Sequence, residues 1–192
     1  MGGAAAPDGA RDIREQTKIM PTTAVEELKK FQSTDLEDLC DAADAAIRAG
    51  GGFGWLTPPP RHIMEAFWKG VLVVPERRLF VGRLDRTIVG SAQLVRPPRN
   101  NEAQAHWAQM TTHFVAPFAR GHGLARAMLV AVEAAAKEAG VAVLNLDVRE
   151  TQAAAIQLYL SLGYQHWGTH PHYARVEGKS IAGLFFFKDL MA

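Results

Sequence analysis

"APFARGHGLARAM", residues 116–128, is the stretch of this sequence that most constrains its structure. Pro117 ends an apolar strand pattern, Gly121 and Gly123 follow in a basic turn, and an alanine-rich helix pattern begins at once. The first amides of a helix have no intrahelical acceptor, and the helix dipole is positive at this end, so such a turn can hold an anion. The same pattern also fits an ordinary turn before a helix, and both interpretations stay open on these residues alone.

Two better-known phosphate motifs do not fit the chain. The dinucleotide fingerprint G-x-G-x-x-G requires a third glycine where Arg126 stands, and no acidic residue follows a second strand at the required distance. The "GKS" stretch at residues 178–180 lacks the first glycine of a Walker A loop, because Tyr173 occupies that position, and no long helix pattern follows it. Any anion site is therefore expected at residues 116–128.

Composition and charge exclude several classes of function. The chain has 192 residues, 48% of them hydrophobic, and a formal net charge of +1, which indicates one compact domain without the basic excess typical of nucleic-acid-binding proteins. We therefore expect no nucleic-acid partner. The single cysteine, Cys40, cannot form an internal disulfide and belongs to no Cys/His cluster, which favours a reducing cytoplasm and predicts no metal site.

The N-terminal segment and the hydropathy pattern set the expected domain boundaries. Residues 1–20 have no apolar core of signal-peptide length and are predicted to form a disordered tail, whereas residues 21–192 are predicted to form the folded domain. Met20 offers an alternative native start to Met1. No apolar run approaches the roughly 20 residues that a membrane-spanning helix needs, so we expect no membrane partner.

The first third of the chain predicts one strand and two helices. Residues 22–31 are ambiguous by period and fit a strand. Thr34 and Glu37 form the pattern of a capping box before a helix that stops at Gly50. Pro60 is well placed to begin the second helix.

The remainder of the chain alternates strand and helix patterns around the glycine turn. "RLFVGRL" and "TIVGSAQLV", joined at Asp85 and Arg86, predict a β-hairpin, and "HWAQMTTHFVAP" predicts a further strand. A long helix is predicted at residues 123–139, then a strand, a short helix capped by Thr151 and stopped by Gly163, and two last strands. The order β-α-α-β-β-β-α-β-α-β-β indicates a mixed sheet with helices on both faces.

Two stretches resemble one enzyme family. "RGHGLA", residues 120–125, matches the Gln/Arg-x-x-Gly-x-Gly/Ala signature of the GNAT family of N-acetyltransferases, and "VAP" precedes it at the family's spacing. "LNLDVRETQAAAIQLYLSLGY", residues 144–164, is similar to the second motif, L-x-V-x-x-x-N-x-x-A-x-x-L-Y-x-x-x-G-F. The resemblance covers about residues 78–190. It implies an α/β (α+β) fold whose central sheet is mixed and mostly antiparallel, with six to seven strands and helices on both faces.

In this family the donor is acetyl-CoA, which the resemblance implies as the cosubstrate here, without a metal. The pyrophosphate of CoA rests on the amides of the first motif, and the pantetheine arm bonds the preceding strand like an added strand. The family's asparagine in the second motif is replaced by Gln152, which keeps the amide but lengthens it. The donor-binding residues implied in this way are His113, Phe114, Val115, Arg120, Gly121, His122, Gly123, Leu124, Ala125, Arg126 and Gln152.

The resemblance also assigns an acid for the leaving thiol. Tyr159 matches the tyrosine that commonly lies near the CoA sulfur in the family and acts as general acid. The expelled thiolate has a reference pKa of about 8.5, and a phenol near 10 can return the proton. The alternative is a tyrosine that packs within an amphipathic helix, beside Ile156 and Leu162.

The base that takes the proton from the attacking amine has several candidates. Asp147 stands in "LDVR", where alanine acetyltransferases that act on ribosomal proteins carry a glutamate in "LEVR". The alternative is a structural carboxylate paired with Arg149 or a backbone amide. His113 or a water path could also serve. Gln109 stands where the histone-acetylating branch has its glutamate, and an amide cannot accept the proton.

The acceptor in this family is selected by the first two helices, the loop between them and the last hairpin. These segments look similar to tabtoxin-resistance acetyltransferases, which implies an acyltransferase acting on the primary amine of a small polar molecule, such as an amino acid or antibiotic. The alternatives are a degenerate acyl-CoA-binding or regulatory module and an acetyltransferase of protein N-termini. A homodimer through the terminal hairpin is common in the family. The candidate acceptor side chains are Phe53, Trp55, Trp167, His170, His172 and Tyr173.

Overall fold

The structure, a computed structural model, describes Met1 and residues 21–51 and 53–192. The described residues form seven strands: β1 (Thr23–Leu28), β2 (Arg77–Leu84), β3 (Thr87–Val95), β4 (Trp107–Val115), β5 (Val143–Arg149), β6 (Gln165–Val176) and β7 (Lys179–Asp189). They also form four α-helices: α1 (Asp35–Arg48), α2 (Arg61–Val73), α3 (Leu124–Glu138) and α4 (Ala153–Ser161). The order along the chain is the predicted one. The tail predicted for residues 1–20 lies, apart from Met1, outside the described residues.

The strands join in one sheet with the order β1-β2-β3-β4-β5-β7-β6. Among the described strands, β4 and β5 form the parallel pair, and every other neighbouring pair is antiparallel. The tight turn between β2 and β3 uses Asp85 and Arg86 at φ 47° and 76°, the backbone geometry that matches the twist of a hairpin. The predicted mixed, mostly antiparallel sheet is confirmed.

Helices cover both faces of this sheet, as predicted. Alternate residues of β2 separate the two sides: Leu79 and Val81 are buried with α1 and α2, whereas Phe80 is buried with α3. Trp68 of α2 is fully enclosed on the first side, and Met128 of α3 on the second. In the described part of the chain, no helix combines the length and apolarity needed to cross a bilayer.

Thr34 occupies the predicted N-cap position of α1 without the predicted capping box, and the predicted cap of α4 is wrong. Thr34 has φ −87° and ψ 2° instead of the extended cap geometry, and its hydroxyl donates to the Asp38 carboxylate at 3.3 Å, so the capping box with Glu37 does not form. The cap position of α4 is Gln152 instead of Thr151. The backbone N–H of Gln152 donates to the Arg149 carbonyl at the end of β5 and closes a turn there, so the helix begins one residue later than predicted.

β4 and β5 separate at one end and open the sheet there. Their parallel ladder joins Trp107–Gln109 to Val143–Asn145 and goes no further, although both strands continue. A bulge bends β4 away: Thr112 has φ 52°, and its carbonyl accepts a hydrogen bond from the Ser91 hydroxyl at 2.9 Å. The second half of β4 therefore has one edge without a neighbouring strand, and this opening is the site of the two cavities described next.

Candidate active site

The opening between β4 and β5 contains two cavities that meet. The glycine-turn cavity, of about 400 Å³, lies between β4, the start of α3 and α4, and its lining includes Val115 and Gly121. The Asp147 cavity, of about 420 Å³, lies between β5, β6 and the loop after α1, and its lining includes Asp147 and Tyr173. The residues that line both are Gly51, His113, Gln152 and Ala155. One molecule can therefore extend from the first cavity into the second.

The glycine turn presents free amides to its cavity. Gly121 and Gly123 have φ 85° and 77°, a left-handed conformation that residues with a side chain rarely adopt. Within the described residues, no acceptor takes the backbone N–H groups of residues 121–126. These groups stand at the N-terminal end of α3, where the helix dipole is positive. The turn therefore has the arrangement of an anion-binding site.

The predicted donor-binding residues come together around this turn. All of them except His122 line the glycine-turn cavity. The His122 ring instead lies 3.2 Å, through Nδ1, from the Ala119 carbonyl. The Arg126 guanidinium donates to the Ser161 hydroxyl at 2.7 Å, which holds its charge at the cavity wall.

The buried Tyr159 and the partly buried His113 form a pair where the cavities meet. The His113 Nε2 lies 3.0 Å from the Ala125 carbonyl, which can only accept, so Nε2 carries the proton. Nδ1 is then the acceptor, and the Tyr159 hydroxyl donates to it at 3.2 Å. Burial lowers the pKa of His113 to about 4, against a smaller opposing effect of the Ala125 contact. Burial and then the charge of Asp147 raise the pKa of Tyr159, so both rings are neutral at pH 7.

Asp147 is held on both carboxylate oxygens by side chains from other strands. The Gln109 amide donates to Oδ1 at 2.7 Å, and the Tyr173 hydroxyl donates to Oδ2. Burial, this hydrogen bond and the Asp147 charge raise the pKa of Tyr173, so its hydroxyl keeps the proton it donates. Gln109 and Tyr173 are the partners in the structure, where the sequence suggests Arg149 or a backbone amide.

A bulge in β6 places Tyr173 at the cavity. The register of β6 against β7 shifts between His170 and Ala174. The Tyr173 ring lies on the backbone of Gly183 in β7, where an added Cβ would overlap the ring. Sequence reasoning missed Gly183, whose one signal is a glycine inside a strand pattern. It also gave no role to Gln109, because only the strand pairing reveals that this amide faces a carboxylate.

The loop after α1 closes the Asp147 cavity and is tied to the sheet. The Gly50 carbonyl accepts hydrogen bonds from the Arg149 guanidinium at 2.9 Å and from the Gln152 amide at 3.0 Å. The side-chain amide of Gln152, predicted to contact the donor, is therefore engaged with this loop. Phe53 of the loop stacks on Phe114 of β4, with ring centroids 5.0 Å apart.

Part of the predicted acceptor set lies around the Asp147 cavity. The residues that line it are Phe53, Trp55 and Tyr173. The residues that lie outside its lining are Trp167, His170 and His172. Trp167 has 63% of its surface exposed and contacts Phe185 with ring centroids 5.8 Å apart, so it covers the outer part of the sheet. These residues were predicted together because they are close in the sequence, but the irregular register of β6 directs only some of them into the cavity.

The free amides of the glycine turn and the unpaired edge of β4 are the two features that the GNAT resemblance implies for binding acetyl-CoA. Residues 36–164 match the sequence model of the Acetyltransferase (GNAT) family. Because the match spans more than half of the chain, the chain belongs to the GNAT family of acetyltransferases. It is therefore an acyltransferase, and a curated relative is named an N-acetyltransferase.

Curated and solved proteins give the degree of similarity. The chain is 67% identical over 133 residues to an uncharacterized N-acetyltransferase of the hisH-hisA intergenic region in Azospirillum brasilense. The aligned residues cover 69% of this chain and 79% of that protein. An N-acetyltransferase from Staphylococcus aureus Mu50 has a TM-score of 0.73 at 19% identity, covering 88% and 99% of the two chains. The acetyltransferase yncA from Salmonella typhimurium, solved with acetyl-CoA, has a TM-score of 0.70 at 16% identity, covering 88% and 94%. At these identities the two solved structures establish the fold.

Proposed function

We propose that this chain transfers the acetyl group of acetyl-CoA directly to the primary amine of a small polar molecule, such as an amino acid or an antibiotic. The observation that carries the proposal is the junction of the two cavities at His113 and Gln152. One cavity offers free amides for a pyrophosphate, and the other offers a carboxylate for an amine. The acetyl-CoA in the Salmonella typhimurium neighbour supports the choice of donor.

The residues of the glycine-turn cavity fit this donor. The free amides of residues 121–126 suit the pyrophosphate of CoA, and the unpaired edge of β4 suits the amide groups of the pantetheine arm. Gly121 and Gly123 keep the turn open, because nothing lies within 4 Å of the positions where their Cβ atoms would be. Bound in this way, acetyl-CoA would supply an activated thioester near the junction of the cavities.

The position and protonation of Tyr159 support a role on the leaving thiol. When the amine nitrogen bonds to the acetyl carbon, the C–S bond breaks and the sulfur takes up a proton. Tyr159 keeps its proton at neutral pH and lies beside His113 at the open edge of β4. The burial that raises the pKa of Tyr159 would also raise the pKa of a thiol formed beside it, so the two groups stay matched for proton transfer.

Asp147 is the base that the geometry favours. Its carboxylate lines the acceptor side, held by Gln109 and Tyr173, and can take a proton from the amine directly or through a water molecule. His113 is disfavoured as the base, because burial lowers its pKa to about 4 and its Nδ1 already accepts a hydrogen bond from the Tyr159 hydroxyl. We therefore assign the acid role to Tyr159 and the base role to Asp147 within this proposal.

A thiol-release assay tests the transfer. The chain is incubated with acetyl-CoA and single members of a panel of amino acids, amine antibiotics and peptides with free N-termini, and products are identified by mass spectrometry. We expect thiol release above background with small amines and none with the peptides. Release with the peptides alone would identify an acetyltransferase of protein N-termini and overturn the small-molecule assignment.

Binding of acetyl-CoA tests the glycine turn separately from turnover. The double variant Gly121→Val with Gly123→Val places two side chains in the turn. Gly140→Val is the matched control, because Gly140 has φ 76° at the other end of α3 and lines neither cavity. By titration calorimetry, we expect at least about tenfold weaker binding in the double variant, the scale of one lost charged hydrogen bond, and unchanged binding in the control. Equal affinities in all three proteins would contradict the assignment.

A further inference from the structure

The Asp147 cavity has a surplus positive charge. The charged side chains in its lining are Asp147, Arg149 and Arg175. Both oxygens of Asp147 already accept hydrogen bonds, and the Arg149 guanidinium donates to the Gly50 carbonyl. The Arg175 guanidinium forms no hydrogen bond or ion pair with any residue that the structure describes. One guanidinium at the cavity is therefore available to a ligand.

Arg175 lies on β6 just beyond the bulge that contains Tyr173. The strand is regular again from Ala174, and Arg175 pairs with Ser180 of β7. Its side chain is among those that line the Asp147 cavity. The nearby Glu150 carboxylate accepts the Ala182 amide at 3.0 Å. Arg175 therefore contributes a positive charge to the cavity wall.

The wall opposite these charges is apolar. Phe53 packs between Trp55 and Phe114, with ring centroids 5.6 Å and 5.0 Å away, so the aromatic lining is rigid. Leu56 extends this lining and has 54% of its surface exposed. A ligand that fills the cavity thus meets a cation on one side and an apolar surface on the other.

We propose that Arg175 binds a carboxylate of the acceptor, and hence that the acceptor is a small amino acid with an apolar portion. This inference rests on the proposed function, since it specifies the amine that the Asp147 cavity accepts. A guanidinium matches a carboxylate through two parallel hydrogen bonds. The positive surplus also disfavours a protonated amine nearby, which increases the neutral fraction that can attack the thioester.

Matched acceptor pairs test the anion contact. Apolar amino acids and their C-terminal amides are compared as acceptors with the wild-type protein, Arg175→Ala, Arg175→Lys and Lys179→Ala. Lys179 is the charge-matched control, because it is exposed near the same hairpin turn and lines neither cavity. We expect the wild type to prefer the acids by at least about tenfold in kcat/KM. Arg175→Ala should lose this preference through a higher KM for the acids and should then use acids and amides about equally.

The controls separate this inference from the proposed function. Arg175→Lys should retain part of the preference, Lys179→Ala all of it, and acetyl-CoA affinity should be the same in the four proteins. Equal use of acids and amides by the wild type, or an unaltered preference in Arg175→Ala, would overturn the anion contact while leaving acetyl transfer intact. If no amine in the panel releases thiol, the proposed acceptor class fails. Melting temperatures of the CoA-bound proteins then test the contact. It is supported if amino acids, but not their amides, raise the melting temperature of the wild type and leave that of Arg175→Ala unchanged; any other result overturns it.

Discussion

A single tyrosine hydroxyl links the two cavities. Tyr159 has only 4% of its surface exposed, yet it lines the Asp147 cavity and bonds to His113. His113 is in turn fixed by the Ala125 carbonyl in the first turn of α3, two residues after Gly123. The N-terminal turn of α3 therefore both presents the free amides and, through His113, orients the Tyr159 hydroxyl.

Loss of the Tyr159 hydroxyl should affect turnover far more than donor binding. We predict that Tyr159→Phe lowers kcat by about 10²-fold or more, the usual scale for a general acid, and leaves acetyl-CoA affinity nearly unchanged. Tyr164→Phe is the control, because this buried tyrosine lies 6.0 Å away between ring centroids and lines neither cavity. Steady-state thiol release and calorimetry measure both quantities. Wild-type kcat in Tyr159→Phe would remove the acid role.

The low pKa of His113 should appear in the pH dependence of stability. Between pH 6.5 and about 4 the unfolded chain binds a proton at this position and the native protein does not, because burial lowers the pKa of His113 to about 4. The free energy of unfolding should therefore fall as the pH is lowered through this range, by up to roughly 3 kcal/mol.

The variant His113→Gln isolates this contribution from the titration of carboxylates. Its free energy of unfolding, measured in urea at several pH values, should fall less steeply than that of the wild type between pH 6.5 and 4. Parallel curves for the two proteins would show that His113 is not buried in its neutral form.

At the scale of single elements, the contact between Tyr173 of β6 and Asp147 of β5 requires a glycine in β7, the strand between them. β7 lies between β6 and β5, so Tyr173 must cross β7 to reach Asp147. It crosses at Gly183, which pairs with Arg149 of β5 on one side and His170 of β6 on the other. Any larger residue there would displace the ring, because an added Cβ overlaps it.

We predict that Gly183→Ala lowers kcat/KM by about tenfold, since Asp147 loses a donor that stabilises its charged form. Tyr173→Phe should reproduce this loss while keeping the ring in place. Gly168→Ala is the control, because this β6 glycine has nothing within 4 Å of an added Cβ. Wild-type kcat/KM in Gly183→Ala would mean that Tyr173 does not position Asp147.

The order of the elements could be predicted because it depends on local patterns. The hairpin turn at Asp85 and Arg86 and the helix stop at Gly163, which has φ 84°, are each encoded within a few residues. The bulge at Thr112 could not be predicted, because an ordinary residue adopts φ 52° there only under the constraint of strand pairing. The same holds for the bulge in β6.

The two cavities differ in how far the sequence could predict them. The glycine-turn cavity is built mainly from neighbouring residues, 113–115, 120–121 and 123–126, so a motif was enough to locate them. The partners of Asp147 are 38 and 26 residues away along the chain, at Gln109 and Tyr173. Their meeting depends on the strand order β4-β5-β7-β6, which a single sequence does not specify.

At the scale of the whole molecule, the cavities lie where the two helical layers meet. Phe114 is buried in the apolar cluster of α1 and α2, and the adjacent Val115 is buried in the cluster of α3 and α4. The glycine-turn cavity likewise contacts Ala46 of α1, Leu124 of α3 and the helix α4. A ligand in this cavity therefore contacts both layers and should stabilise them together.

Cys40 in α1 can report this coupling, because it is the single cysteine of the chain and only 1% exposed, and burial raises the pKa of its thiol to about 11. At pH 8 we predict that a disulfide reagent labels it at least about 100-fold more slowly than in denaturant. Acetyl-CoA at 100 times its dissociation constant should slow labelling by about a further 100-fold, since α1 must then open against bound ligand. At the same acetyl-CoA concentration, the Gly121→Val, Gly123→Val double variant should gain at most about tenfold protection, because it binds at least about tenfold more weakly. Unslowed labelling of the wild type would show that the α1 layer opens independently of the glycine turn.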